Sequence, residues 1–299
     1  MIIIAFASEG PLKDWRAKLG KVKNILAFVD FSQVSKIDIN RPGETLAIEK
    51  AGDKWKIANT KDFYVRDDII QGIELALNTA KEADVELASE NAEKKDDFEV
   101  GKSGTSISLR QGDVLLHEFI IGKVGADFTS TYITRNDTEE TYLIKANLNS
   151  ALVRGDWYDR TILKSDIEKI SKIRFQHPTS EFTVEKLEDE WQGTLPYSFG
   201  VDEEKIELTL EMMANLTATD IPEQTFDGAG FDKDIIIVQA TGEELDNTIM
   251  IGGPQVVDAE EEVDLEDVLY YAKRADSDNI YLITAEQKGL LDVRIQDLR

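Results

Sequence analysis

Residues 34–39 read Val-Ser-Lys-Ile-Asp-Ile, and residues 170–175 read Ile-Ser-Lys-Ile-Arg-Phe, 136 positions later. The same spacing continues without a gap, and it places Trp55 opposite Trp191. Over the 22 positions that end at Trp55, eight residues are identical in the second copy. A repeat of this length is typical of one structural unit that occurs twice in a chain.

The repeat extends beyond this stretch with small changes of spacing. Residues 73–75 read Ile-Glu-Leu, and the same three residues return at 206–208, 133 positions later. Because the matches keep their order, we predict two tandem homologous units, residues 33–165 and 166–299. Residues 1–32 are then a truncated anchor or signal remnant followed by a linker.

The first copy opens with patterns typical of antiparallel strands. Residues 36–40 and 45–49 alternate polar and apolar side chains, and Pro42-Gly43 supplies a turn between them. After another turn at Gly52-Asp53, Trp55 begins a third strand. Four further strands are predicted near residues 105–109, 114–121, 131–135 and 141–144.

An amphipathic helix follows the opening strands in each copy. We predict that Asp67 or Asp68 caps the first helix and that Asp202 caps the second. The predicted apolar stripes comprise Ile69, Ile70, Ile73, Leu75 and Leu77 in the first copy, and Ile206, Leu208, Leu210, Met213 and Leu216 in the second.

A short closing helix is predicted at residues 146–154, and residues 82–97 and 219–231 are predicted to be surface connections. The order of elements lacks the alternation of strand and helix that a parallel sheet requires. The predicted fold class is therefore α+β, with two tandem homologous units that are each a mainly antiparallel sheet with one or two helices.

The charge balance excludes some classes of function. The 299 residues include 59 acidic and 34 basic side chains, which gives a net charge of −25. We exclude a nucleic-acid partner, because contacts with phosphates need a basic surface. There is no cysteine, so disulfides, thiolate metal sites and cysteine nucleophiles are excluded. Residues 161–299 hold 32 acids and 12 bases, so most of the excess lies in the second copy.

The N-terminus begins with the apolar residues 1–7, Met-Ile-Ile-Ile-Ala-Phe-Ala. Seven residues are too few to span a bilayer, which takes about 20. Two interpretations compete: the end of a membrane anchor or export signal whose beginning is missing, or an ordinary first strand. The basic residues just beyond it, Lys13, Arg16, Lys18, Lys21 and Lys23, fit a position near lipid headgroups or a solvated helix face.

The motifs that suggest chemistry each have a simpler structural interpretation. Residues 101–105, Gly-Lys-Ser-Gly-Thr, resemble the end of a phosphate-binding loop but lack its first glycine, and a strand follows them instead of a helix. The two histidines, His117 and His177, do not have metal-ligand spacing. Asp53 and Asp189 recur in the repeat but are explained by turns.

Two further features have both a recognition and a structural interpretation. Tyr132, Arg135 and their counterparts Tyr271 and Arg274 recur on a strand, where they either form a recognition surface or pack against neighbouring strands.

The second feature is the acidic loop at residues 258–267, where an insertion of nine residues distinguishes the second copy. It carries seven carboxylates without the spacing of an EF-hand. It is a solvated loop, a weak calcium site or a docking patch for a basic partner. We assign no catalytic, cofactor-binding or metal-binding residue.

Several stretches resemble the bacterial domain of unknown function DUF4340. They are residues 36–57, 120–123, 132–144 and 156–163, and the most characteristic is Asp-Trp-Tyr-Asp-Arg-Thr-Ile-Leu at 156–163. The resemblance covers roughly residues 30–299 and implies one N-terminal membrane anchor with repeats outside the cytoplasm. It also implies, for some members, an auxiliary role beside gliding-motility-type ABC transporters. It supplies no catalytic residues, and it favours the truncated anchor at residues 1–7.

The leading functional hypothesis is a non-enzymatic accessory or binding protein that is anchored in the membrane and lies outside the cytoplasm. It would serve a membrane system such as an ABC transporter. Its partner would be a membrane transport component or a basic protein, and it would need no cofactor. The first alternative is a soluble scaffold that binds a basic protein through the acidic second unit. A carboxylate-dependent hydrolase is a lesser alternative, because we identify no facing pair of carboxylates.

Overall fold

The fold was analysed in a computed structural model that describes residues 23–255, 264 and 267–299. The chain divides into two compact units between Asp159 and Arg160. Each unit is built on one eight-stranded antiparallel sheet.

The sheet of the first unit has the strand order β3-β2-β1-β5-β6-β7-β8-β4. Its strands are β1 Lys36–Arg41, β2 Glu44–Ala51, β3 Lys54–Ile57, β4 Val85–Ser89, β5 Thr105–Gln111, β6 Val114–Val124, β7 Thr131–Thr134 and β8 Thr141–Ile144. Helix α1 spans Asp67–Glu82 and the short helix α2 spans Asn149–Leu152. A 3-10 turn, Phe31–Gln33, precedes β1.

The second unit begins with β9 Thr161–Lys164, which pairs with β14 Asn215–Thr217 outside the main sheet. The main sheet has the order β13-β12-β11-β10-β15-β16-β17-β18. Its strands are β10 Ile170–Gln176, β11 Glu181–Leu187, β12 Glu190–Leu195, β13 Phe199–Gly200, β15 Ile236–Gly242, β16 Leu245–Pro254, β17 Leu269–Arg274 and β18 Tyr281–Thr284. Helix α3 spans Glu203–Ala214 and α4 spans Ala285–Leu291, and a 3-10 turn, Ile167–Lys169, precedes β10.

Seven strands follow the same order in both sheets. The run β3-β2-β1-β5-β6-β7-β8 corresponds, in chain order and in pairing, to β12-β11-β10-β15-β16-β17-β18. The sheets differ at their edges, where β4 is added beside β8 in the first unit and β13 beside β12 in the second. The predicted mainly antiparallel sheets are confirmed, and with few helices beside them they fit an α+β or a mostly-β fold.

The core of the first unit follows from the alternation of its central strands. Ile37 pairs with Leu109 and Ile39 with Ile107 across β1 and β5, and all four side chains are buried. Helix α1 contributes a buried face that includes Ile73, because residues three and four apart share one side of a helix. The second unit repeats the scheme with residues of β10, β15 and α3.

Some predictions about the helices are wrong. Asp67 and Asp68 do not cap α1, which begins at Asp67 after Arg66 without a side-chain cap. Leu75 and Leu208 were assigned to the apolar stripes but are exposed, because each lies two positions from a buried isoleucine and therefore on the other side of its helix. Asp202 does cap α3, since its carboxylate accepts hydrogen bonds from the backbone N–H groups of the first turn.

The predicted surface connection at residues 82–97 is also wrong in part, because it contains β4, an edge strand paired with β8. None of its side chains is fully buried, so it lacks a clear apolar signal. The predicted closing helix at residues 146–154 shortens to α2.

Candidate functional site

An open depression in the second unit, here called the Trp191 groove, lies between α3, β12 and the 3-10 turn before β10. Its volume is about 300 Å³. The apolar part of its lining consists of Ile167, Ile170, Trp191, Ile206 and Leu210, and the charged part consists of Glu168, Lys186, Asp189, Glu203 and Glu207.

Local sequence places the tryptophan beside the groove. The hairpin between β11 and β12 turns at Glu188 and Asp189, whose φ angles of 51° and 72° are both left-handed. Such a pair forms the tight two-residue turn whose twist suits an antiparallel hairpin. Trp191 therefore sits two residues beyond the turn and pairs with Lys186 across the strands.

The helix and the 3-10 turn supply the other walls. Ile206 and Leu210 lie four positions apart on α3, so both face the same side and both are buried. Ile167 is the first residue of its 3-10 turn, which Asp166 caps by accepting a hydrogen bond from the backbone N–H of Glu168. Ile167 remains 36% exposed, so the apolar lining of the groove is partly open to solvent.

The rim of the groove is acidic. Glu168, Asp189, Glu203 and Glu207 are all exposed, and the single base is Lys186. Within the described part of the chain, none of these five groups forms an ion pair. A ligand that carries positive charge would meet uncompensated carboxylates around an apolar floor.

A second depression, of about 530 Å³, adjoins the first. Trp191 and Glu203 line both, and the second adds Glu190, Phe199 and Val201. Trp191 itself is buried, with 9% of its surface exposed, so the two depressions lie beside it and not on its ring.

A cavity of about 370 Å³ in the first unit is the other candidate. Its polar groups are already paired: Arg135 donates to both oxygens of Asp137 at 3.0 and 2.9 Å, and Asn136 Nδ2 donates to Glu118 at 2.9 Å. The ring Nε2 of His117 lies 3.1 Å from the carbonyl oxygen of Phe28. These contacts pair the polar groups of the cavity with one another. They therefore offer a ligand fewer unpaired polar groups than the rim of the Trp191 groove does.

Of the repeated residues, Tyr132, Arg135 and Arg274 have local partners. Arg274 donates to Oδ1 of Asp276 at 2.7 Å, in the same way that Arg135 pairs two residues along the chain. This hydrogen bond lowers the pKa of the Asp276 carboxyl and raises that of the Arg274 guanidinium. The ring of Tyr132 contacts Phe98 with centroids 4.8 Å apart, and Tyr271 is half-buried in β17.

The two histidines belong to different units. The side chain of His177 is wholly buried, and its Nε2 lies 3.1 Å from Oδ1 of Asp292. Burial lowers the pKa of His177, the charge of Arg294 lowers it further, and Asp292 opposes both. His177 is therefore a buried neutral ring next to a carboxylate.

The remaining predicted residues lie in turns or outside the described residues. Residues 101–104 form a turn before β5, where Asp96 accepts a hydrogen bond from the backbone N–H of Lys102 at 3.3 Å. Asp53 and Asp189 both occupy hairpin turns. In the acidic loop 258–267 only Asp264 and Asp267 are described, so weak calcium binding there stays a prediction.

The described residues hold neither a cluster suited to a metal ion nor a membrane-spanning helix. Residues 23–255, 264 and 267–299 contain no group of three or more histidine, aspartate and glutamate side chains placed to hold a metal ion. No helix within the same ranges has the length and apolar character needed to cross a membrane.

The Trp191 groove has no signature in the sequence that would have predicted it. Its rim carboxylates are spread between residues 168 and 207, so no single stretch marks them. The signal that was available is the spacing of 136 residues, which aligns Ile167 with Phe31. The replacement of phenylalanine by isoleucine at this position becomes informative only when the structure shows which tryptophan lies near each of the two residues.

Comparison with known proteins identifies a family. A family model described as a domain of unknown function, DUF4340, matches residues 55–234, which is more than half of the chain. No curated protein and no solved structure matches the sequence.

Proposed function

We propose, on the premise that this chain belongs to the DUF4340 family, that it is a non-enzymatic binding or accessory protein of a membrane system. An N-terminal segment anchors it, and its two units lie outside the cytoplasm. The observation that carries a binding function is the Trp191 groove, where the partly exposed Ile167 lies beside acidic groups that form no ion pair within the described part of the chain. Such a combination suits the capture of a protein segment, because an apolar anchor gives affinity and the charged rim gives selectivity.

We also propose that the two units arose by duplication of one ancestral unit. The common order of seven strands supports this origin, and so do the eight identities in the 22 positions that end at Trp55. Duplication matters for function because one copy can keep a structural role while the other changes its surface.

The membrane part of the proposal rests on the apolar residues 1–7 and on the family resemblance. Family members associated with gliding-motility-type ABC transporters suggest a transport component as the partner. The anchor would hold the units beside that component and raise their effective concentration at its surface.

Localisation of the full-length gene product tests this proposal. A C-terminally tagged protein should fractionate with membranes, resist extraction by high salt and be digested by protease added outside intact spheroplasts. A cytosolic enzyme and a known integral membrane protein serve as controls. A protein found only in the cytosolic fraction would refute the anchored, extracytoplasmic assignment.

The acidic charge of the second half favours a second candidate, a soluble scaffold that binds a basic protein through the second unit. The two candidates differ in localisation but share a binding surface. Cytosolic localisation together with salt-sensitive binding of a basic partner would select the scaffold.

A further inference from the structure

Three exposed apolar side chains lie on two adjoining segments of the first unit. Phe28 is 71% exposed, and Val114 and Leu115, at the turn between β5 and β6, are 64% and 47% exposed. The carbonyl oxygen of Phe28 lies 3.1 Å from Nε2 of His117 on β6, and Ile25 lines the same cavity as Leu115. We call Phe28, Val114 and Leu115 the apolar tip. Large apolar side chains that are grouped on a surface typically mark a site of contact.

Two of the corresponding positions in the second unit are charged. The spacing of 136 residues, which aligns the two 3-10 turns, places Lys164 at the position of Phe28. The spacing of 130 residues, which aligns the β5–β6 turn with the β15–β16 turn, places Glu244 at the position of Val114. Both charged side chains are exposed. The repeated fold therefore does not require apolar side chains here, and contact with an apolar surface accounts for them in the first unit.

The described part of the chain begins beside the apolar tip. Nζ of Lys23, its first residue, lies 5.2 Å from the centroid of the Phe28 ring. Asn24 fixes this point, because its Nδ2 donates to the carbonyl oxygen of Ala80 in helix α1 at 2.7 Å. The 22 residues that precede Lys23 include the apolar residues 1–7 and four basic residues against two acidic ones. Whatever surface holds residues 1–7 is therefore close to the apolar tip along the chain.

We propose that the apolar tip contacts the lipid bilayer in which residues 1–7 anchor the chain. Its three side chains enter the boundary between headgroups and acyl chains, and Lys23 meets lipid phosphates. The 16 residues from Ala7 to Lys23 reach at most about 55 Å, which keeps the tip near the bilayer. This assignment deepens the proposed function and rests on it for the anchor, but contact between tip and bilayer can be tested without the natural anchor.

The first unit contains its own control for this contact. Phe128 is 80% exposed and lies beyond the other end of β6, which is about 35 Å long at about 3.4 Å per residue. A unit that approaches the bilayer through the apolar tip therefore leaves Phe128 in water. Charge at the tip is mixed, because Asp113 is exposed beside Val114 and Lys23 lies beside Phe28. Apolar insertion should thus dominate, and an uncharged lipid surface should suffice.

The test uses the full chain with an N-terminal hexahistidine tag, held on phosphatidylcholine vesicles that contain a nickel-chelating lipid. The tag replaces the anchor. Because the chain has no cysteine, Leu115→Cys and Phe128→Cys each give one site for an environment-sensitive fluorophore. We expect lipids with brominated acyl chains to quench the fluorophore of the Leu115→Cys variant at least about threefold more strongly than that of the Phe128→Cys variant.

A pair of substitutions gives the first unit the charged residues of the second. Adding Phe28→Lys and Val114→Glu to the Leu115→Cys variant should reduce quenching at least about threefold, because each inserted apolar side chain favours the contact about tenfold. The melting temperature should stay the same, since both side chains are exposed and the second unit folds with these residues. The matched control, Phe128→Ser in the Leu115→Cys variant, should leave quenching unchanged.

Several results would overturn the proposal. They are the absence of quenching in the Leu115→Cys variant, equal quenching at the two labelled positions, and full quenching after the paired substitutions. A disulfide between Ile4→Cys and Leu115→Cys that forms without vesicles and persists on them would reassign the tip to this chain's own residues 1–7. In the fractionation experiment, a membrane-bound protein whose tip is not quenched on vesicles would refute the tip contact alone. A cytosolic protein whose tip is quenched would refute the anchor alone.

Discussion

Replacing Phe31 with alanine removes the ring that stacks on Trp55, and we expect the free energy of unfolding of the first unit to fall by about 3 kcal/mol. A fully buried phenylalanine typically costs about 3–5 kcal/mol when it is truncated to alanine. Phe31 belongs at the low end of that range, because it is 8% exposed and lies in a short turn where neighbours can partly close the space. The stacking itself contributes about 1 kcal/mol of this total.

The matched change in the second unit is Ile167→Ala. Ile167 is 36% exposed and has no stacked ring to lose, so we expect a decrease of about 1 kcal/mol. The difference of about 2 kcal/mol between the two variants measures how much more completely the first unit fills the space beside its tryptophan.

Urea unfolding followed by tryptophan fluorescence and by far-ultraviolet circular dichroism measures both variants. The midpoint should fall for Phe31→Ala while the dependence on urea stays constant, since the change affects packing and not the extent of unfolding. Equal losses in the two variants, or a loss below about 1 kcal/mol for Phe31→Ala, would show that the two positions are packed alike.

Three further predictions concern the second unit. Because burial lowers the pKa of His177 from its ordinary value of 6.5, the unfolded state binds a proton more readily than the folded state, and the free energy of unfolding should fall as the pH drops below 6.5. His177→Gln should flatten this dependence between pH 7.5 and 5.5 in urea titrations. An unchanged dependence on pH in the variant would contradict the prediction. Gly242→Ala should lower the free energy of unfolding by about 3 kcal/mol, because a Cβ there would lie 1.6 Å from the carbonyl oxygen of Lys169, while Gly112→Ala meets open space and costs about 1 kcal/mol through its φ of +57°. Asp202→Ala removes the cap of α3 and should lower the melting temperature by an amount equivalent to about 1 kcal/mol, with Asp202→Asn as the tolerated control.

Much of the sheet could be predicted from sequence because its signal is local. Residues 36–40 alternate polar and apolar side chains, and in the structure β1 lies in the centre of its sheet with Ile37 and Ile39 buried. The edge strand β4 was missed because a strand with one paired edge and no fully buried side chain lacks that alternation of burial. Regular elements with one buried face can therefore be predicted from the sequence, whereas polar edge strands cannot.

The helix errors have a related origin. Leu75 and Leu208 are apolar, and a list of apolar residues includes them, but the angle between neighbouring positions turns them away from the sheet. At the start of α1, two adjacent aspartates suggested a cap, yet both lie inside the first turn, where their charge favours the helix terminus without a capping hydrogen bond. Asp202 was predicted correctly because a single aspartate stands there, followed by one helical turn of charged residues before the first buried position, Ile206.

The site could be predicted only in part. Sequence counting located the negative charge in the second half and drew attention to the dense run at residues 258–267. The carboxylates of the Trp191 groove come from a 3-10 turn, a hairpin and a helix, and only the fold brings Glu168, Asp189 and Glu203 around one apolar floor. Tertiary contacts of this kind leave no local pattern.

The Trp191 groove combines a partly exposed isoleucine, Ile167, with an acidic rim. An exposed apolar side chain without charge beside it would contact apolar side chains of many proteins, whereas carboxylates around it favour basic ones. The second unit has Ile167 where the first has Phe31. It also has glutamates at positions that carry Ser32, Lys54 and Ile70 in the first unit. Charges more than about 8–10 Å from a bound ligand are largely screened at physiological salt, so the few carboxylates that line the depressions decide its selection, while the rest of the −25 acts mainly on solubility. A ligand of the Trp191 groove would therefore be selected by charge at the rim, with Ile167 as the partly exposed apolar contact.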